Sequence, residues 1–204
     1  MLNKIKTFIV KLIGKIHWKQ THAITDDDRA EIRKRLTSHY YLIVTRRSNH
    51  LSTFAICFMN WWLTGKWGFY SHILMNTEND VVDDSDFRLV EAIGTGVTYS
   101  SFWKVFGKVD AVGLIKPKNL SIDEWTNVLD KARTEIGKPY DTLFDLTNDK
   151  SLSCVELVRV ALSNEPNYKT DFANFEKMIR HNGNLTPQMF VDCEDFEVIW
   201  HVKR

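Results

Sequence analysis

Short strand-like runs come before most of the helices in this chain, and that order constrains the fold more than any single motif. The runs are "YYLIVT" (40–45), "WGFYSHILMN" (67–76), "FRLVEAI" (87–93) and "VDAVGLIKP" (109–117). Next comes "SIDEWTNVLDKARTEIG" (121–137), a helix capped by Ser121 with Glu124 three residues on, and stopped by Gly137. A loop, a helix at 154–162, a helix near 171–180 and a closing strand "FEVIWHV" (196–202) complete the pattern. Earlier, "TDDDRAEIRKRL" (25–36) reads as a helix with Thr25 as N-cap, acids in its first turn and bases in its last. Residues 49–64 are apolar, a helix or a buried loop. The expectation is an α+β fold with an antiparallel sheet packed against helices.

The rest of the composition mostly excludes. A net charge of +1 gives no global attraction to nucleic acid, and basic residues do not interleave with aromatics on one face. Cys57, Cys154 and Cys193 are too few and too far apart for a disulfide framework, and no C-x-x-C or H-E-x-x-H spacing marks a metal site. A reducing, cytoplasmic compartment fits. The run "FAICFMNWWL" (54–63) is too short to span a bilayer. The acidic stretch "NTENDVVDDSD" (76–86) fails as a calcium loop, because Val81 or Ser85 stands where the sharp turn needs glycine. "GTG" (94–96) lacks the third glycine of a dinucleotide site and reads as a turn.

Residues 1–22 form a separate compositional unit. Lys4, Lys6, Lys11, Lys15 and Lys19 occur without an acid, while Leu2, Ile5, Phe8, Ile9, Leu12, Ile13 and Ile16 recur at threes and fours. That is a basic amphipathic helix, with Trp18 near its end. Lys11 and Lys15 interrupt the apolar core that a secretory signal needs. Two readings are open: a helix at a membrane surface, peripheral rather than spanning, or one packed on its own domain, residues 23–204.

The stretch "KSLSCVELVRVAL" (150–162) places Cys154 in the first turn of a buried helix with Ser153 as cap. A cysteine there is a small core hydrophobe or a nucleophile. A free thiol has a pKa of about 8.5, and a helix terminus supplies only about 0.3–1 kcal/mol toward the anion. A nucleophile therefore needs a neighbouring base and a group that orients it. His17, His22, His39, His50, His181 and His201 lie at helix ends, strand flanks or the chain's edge. His72 lies mid-strand, where alternation groups it with Tyr70 and Leu74. It is a core histidine unless a partner faces it. Glu91, in the next strand, is such a partner across a hairpin, whereas Glu78 sits in the solvated acidic turn.

The order "YSHILMN", "LVEAIGTGV", "VGLIKP", "IGKPYD", "SCVEL" over residues 40–202, with "LTPQMF" near the end, resembles a circularly permuted branch of the NlpC-type papain-like hydrolases. That branch includes YiiX- and YaeF-like bacterial proteins, poxvirus relatives and, distantly, lecithin:retinol acyltransferase. The resemblance implies a permuted papain-like fold with Cys154 as nucleophile, His72 as base and Glu91 as the residue orienting it. "GKPYD" matches at Gly137, Tyr140 and Asp141. The chain departs from the pattern at Val155, where relatives carry Ser or Asn, and at Asn164, the spacing of a further tyrosine, with Tyr168 beyond it. Cys57 and Cys193 are structural thiols, Glu156 is a helix-surface or capping residue, and Asp145 is a loop residue.

The function expected is a cysteine hydrolase cleaving an amide of a peptide or cell-wall peptide, without metal or organic cofactor. The alternatives are a lipid-directed thiol esterase or acyltransferase, whose membrane contact is residues 1–20, and a non-catalytic binding module on the same fold.

Overall fold

The computed structural model describes residues 12–77, 88–148 and 150–204. The first eleven residues of the basic amphipathic segment and most of the acidic turn, Glu78 included, lie outside the described residues. The fold is α+β. Its helices are α1 (Asp26–Leu36), α2 (Leu51–Thr64), α3 (Phe102–Phe106), α4 (Ile122–Thr134), α5 (Cys154–Leu162), α6 (Tyr168–Asp171), α7 (Ala173–Asn182) and α8 (Pro187–Asp192). Its strands are β1 (Leu42–Arg46), β2 (His72–Asn76), β3 (Leu89–Ile93), β4 (Gly96–Ser100), β5 (Ala111–Pro117) and β6 (Phe196–Lys203). They form one sheet in the order β4-β3-β2-β1-β5-β6, every neighbouring pair antiparallel.

Strand alternation divides the apolar residues between two layers. Leu42, Val44, Ile73, Met75, Val90 and Ala92 belong to the larger core, with Trp125 and Leu129 of α4, Leu157 and Val158 of α5, Phe175 of α7 and Phe190 of α8. Ile43, Leu74, Leu89, Val112 and Leu114 belong to the second, with Ile32 and Leu36 of α1 and Phe102 and Phe106 of α3. Helices therefore cover both faces. Capping boxes start α1 and α4: Thr25 with Asp28, and Ser121 with Glu124.

Several sequence expectations need correction. The strand expected over 67–76 begins only at His72. The backbone before it bonds elsewhere: the Phe69 and Tyr70 N–H groups donate to Gln188 Oε1 at 3.0 and 3.3 Å, and Gly68 N–H donates to the Cys57 carbonyl. Tyr70 accordingly lies in the larger core while Leu74 lies in the second, so the two do not share a face. The "GTG" stretch is a turn only at Gly94 and Thr95, and Gly96 opens β4. The helix expected near 171–180 starts at Ala173 and follows a separate short turn, α6.

The described part of the N-terminal segment is bonded to the domain. Trp18 N–H donates to the Asn49 carbonyl, Leu51 N–H to the Ile16 carbonyl, and Ile24 N–H to the Val109 carbonyl. The His17 ring stacks on His50, with centroids 5.6 Å apart. Among the described residues no helix is long and apolar enough to cross a membrane.

Candidate active site

Cys154 is the first residue of α5. Ser153 before it is extended, as an N-cap residue is, and its N–H donates to the Glu156 carboxylate at 2.6 Å. Glu156 is thus a cap, but it is buried, not on the helix surface. Burial holds its carboxyl above the usual range; Ser153 opposes that rise, while the neighbouring Asp141 carboxylate adds to it. Asp141 itself accepts the Leu143 and Asp145 N–H groups at 2.8 and 2.6 Å, pinning the loop that precedes the cysteine.

Two backbone clamps set the position of that loop. Val97 N–H donates to the Lys138 carbonyl and Gly137 N–H to the Val97 carbonyl, each at 2.9 Å, which ties "GKP" to β4. Leu152 N–H then donates to the Pro139 carbonyl at 2.9 Å, drawing the two ends of the loop together just ahead of Cys154. The first clamp requires a bare backbone at Gly96, whose φ is +116° and where a Cβ would stand 2.5 Å from the Lys138 oxygen.

His72 opens β2 and Glu91 lies in β3. The β2–β3 register pairs Met75 with Val90 and Asn76 with Leu89. Continued, it sets Glu91 beside Leu74 and diagonal to His72, the separation at which long side chains meet. His72 Nε2 and Glu91 Oε2 are 2.7 Å apart. The other carboxylate oxygen accepts a short hydrogen bond from Ser100 Oγ of β4. Cys154 is among the groups that act on the imidazole, and it lines the same cleft as His72 and Glu91.

The electrostatics follow from this geometry. Burial opposes a charge on His72, but the hydrogen bonds and electrostatic pull of Cys154 and Glu91 prevail and push the imidazole up to about 10. Burial likewise opposes a charge on Glu91, and His72, Ser100 and the nearby Lys104 overcome it, holding the carboxyl down at about 2. Each partner thus favours the charged form of the other.

The three residues line a cleft of about 680 Å³. Ile13, Ala55, Ile56, Met59, Ile93 and Phe144 give it an apolar wall, and Lys15, Arg47 and Lys104 supply positive charge. His50 also lines it; burial and the charges of Arg47, His17 and Lys108 hold its ring below the usual range. Tyr140 and Phe144 meet edge to face at the loop, Phe144 in the left-handed region at φ +54°. Burial and the negative groups around it raise Tyr140, which keeps its phenolic proton.

The structure thus brings Cys154, His72 and Glu91 together. It puts Cys57 and Cys193 elsewhere, buried, with burial raising both thiols. Tyr168 donates to Glu176 at 2.5 Å and takes no part in the cleft lining, nor does Asn164. Sequence reasoning missed Ser100 as a neighbour of the site and named Tyr140 only as part of the "GKPYD" match, without a place in the cleft. Alternation through "GVTYS" after a two-residue turn was the available signal for Ser100, which the β3–β4 register sets on the same face as Glu91.

No protein-family model matches the sequence, and no curated protein matches it. Among solved structures, the chain is similar to the crystal structure of the metalloprotein yiiX from Escherichia coli O157:H7, with a TM-score of 0.58 and 19% identity. The match covers 82% of this chain and 98% of that one, and it shows the fold. The word metalloprotein applies to yiiX. Among the described residues of this chain no three His, Cys, Asp or Glu side chains are grouped to hold a metal ion.

Proposed function

We propose that this chain is a cysteine hydrolase of acyl compounds on a permuted papain-like scaffold, with Cys154 as nucleophile, His72 as acid and base, and Glu91 as the residue that positions His72. The observation that carries this reading is the His72 imidazole 2.7 Å from the buried Glu91 carboxylate in the wall of a cleft that the Cys154 thiol also lines. Support also comes from the chain order of the motifs and from the likeness to the yiiX fold.

In this reading Cys154 Sγ attacks the acyl carbon, its proton resting on His72. Negative charge gathers on the former carbonyl oxygen, which the Cys154 backbone N–H stabilises at the helix N-terminus; the protonated Tyr140 hydroxyl is a second donor. The C–X bond breaks as His72 passes its proton to the leaving group, leaving a thioester on Cys154. Water then attacks that thioester with His72 as base, releasing the acid and restoring the thiol. With a hydroxyl or amine acceptor in place of water, the same steps transfer the acyl group.

An amide is one substrate for such a site. The apolar wall formed by Ile13, Ala55, Ile56, Met59 and Phe144 favours a second, an ester or thioester carrying a hydrocarbon chain. Iodoacetamide kinetics against pH test the nucleophile, and mass spectrometry after exposure to a p-nitrophenyl acyl ester tests the intermediate. Cys154 is expected to react ahead of Cys57 and Cys193, whose thiols burial raises. It is also expected to carry the acyl adduct, which Cys154→Ala removes. Equal rates at the three thiols, with no adduct, would favour a binding module instead.

A further inference from the structure

α2 presents three stripes at helical spacing. Thr53, Cys57 and Asn60 are buried. Ser52, Ala55, Ile56 and Met59 line the cleft. The third stripe, Phe54, Phe58, Trp61 and Trp62, faces outward, with Trp62 75% exposed. Trp67 extends it, its ring 5.2 Å from Phe54 and 6.3 Å from Phe58. At the start of the helix, Leu51 bonds Ile16, and Leu12, Ile16 and Trp18 of that bonded segment are exposed as well. An outward cluster of this kind exceeds the scattered hydrophobics of an ordinary surface.

Charge narrows the choice of occupant. The sequence holds no Asp or Glu from Met1 to Thr25, and none from Ile32 to Thr77, the stretch that contains all of α2 and Trp67. Lys15 and Lys19 belong to the segment whose backbone bonds Asn49 and Leu51 at the start of the helix, and Lys66 follows its end, where the Lys66 carbonyl accepts from Asn60. Tryptophan and phenylalanine edged by lysine, on segments that carry no carboxylate of their own, match the boundary between anionic headgroups and acyl chains.

We infer that the outer face of α2, with Trp67 and the Leu12–Trp18 segment, docks on an anionic phospholipid surface, so that the adjoining cleft opens toward lipid acyl groups. The link to acyl substrates rests on the hydrolase reading; the docking does not, because it uses side chains that the Cys154 site does not. Docking is shallow: aromatic rings enter the interface, lysines meet the headgroups, and the chain lies on the bilayer without crossing it.

The test is co-sedimentation of the full chain with phosphatidylcholine vesicles prepared with and without phosphatidylserine. Wild type is expected to pellet with the anionic vesicles only, and Phe58→Glu and Trp62→Glu are each expected to weaken pelleting at least about tenfold. Ile122→Glu, which makes the same change at an exposed residue of α4, serves as the control and is expected to pellet like wild type. Circular dichroism verifies the fold of each variant. Cys154→Ala is expected to pellet normally, so a failed hydrolase reading and a failed docking surface give different results. Wild type that stays in the supernatant, face variants that pellet fully, or a concentration-dependent dimer that the face variants abolish would each overturn the inference.

Discussion

Ser100 and His72 hold opposite oxygens of one carboxylate, that of Glu91, from strands on either side of β3. The arrangement fixes the carboxylate in the sheet and through it the imidazole, so that neither residue relies on solvent for its partner. It also explains how a glutamate only 5% exposed is tolerated: both of its oxygens are satisfied.

The first expected outcome concerns that pair. Glu91→Gln keeps the shape and removes the charge, so turnover of an acyl ester should fall by roughly two to four orders of magnitude with the fold retained. Ser100→Ala frees one oxygen and leaves the charge, and should cost about tenfold or less while moving the acid limb of the pH–rate profile upward, since Ser100 is one of the groups holding Glu91 down. Steady-state kinetics across pH on both variants measure this. Equal losses in the two would remove the charge on Glu91 from its proposed role.

The same pair makes stability depend on pH in a defined sense. His72 is raised from 6.5 to about 10 in the fold, so its contribution is complete below about pH 6.5 and is lost as pH climbs toward 10. Glu91 is lowered from 4.5 to about 2, so its contribution is complete above about pH 4.5 and is lost as pH falls toward 2. Both are complete between about 4.5 and 6.5. Urea unfolding of wild type against His72→Ala should show a difference on the order of a few kcal/mol in that window. The difference should shrink on the alkaline side.

Gly96 offers a test of the clamp that sets the loop. Alanine there meets the Lys138 carbonyl oxygen at 2.5 Å on a backbone at φ +116°. Gly96→Ala should cost about 1–3 kcal/mol. It should also slow alkylation of Cys154, because "GKP" must move away from β4. Gly94, where a Cβ meets nothing within 4 Å, is the control, and Gly94→Ala should change stability by about 0.5 kcal/mol or less. Differential scanning calorimetry and thiol kinetics on the two variants check both statements.

What could be read from the sequence was set by local chemistry. Thr25 with Asp28, and Ser121 with Glu124, close their capping boxes within three residues, and both helix starts follow directly from the letters. The His72–Glu91 pairing was legible for a similar reason, since both lie in adjacent runs joined by one connection. β2, by contrast, is shorter than its apolar run because Gln188 captures two backbone donors across a sequence separation that no local pattern encodes. His50 reads as a strand flank, yet the helix it begins carries it to the cleft wall. Glu156 looks like a surface acid in "SCVELVRV", but it is buried against Asp141, which the fold of the intervening loop brings back to it.

The contact between Gln188 and the backbone of Phe69 and Tyr70 has a consequence for synthesis on the ribosome. A nascent chain that has emerged as far as Leu162 already contains Cys154, His72 and Glu91, but lacks the side chain that receives the two N–H groups just ahead of His72. The segment leading into β2 therefore reaches its final bonding only after α8 has been translated and has docked. Assembly of the cleft is timed by a part of the chain made after all three reactive groups, and a polypeptide interrupted between α5 and α8 would hold those groups while Phe69 and Tyr70 lacked their acceptor.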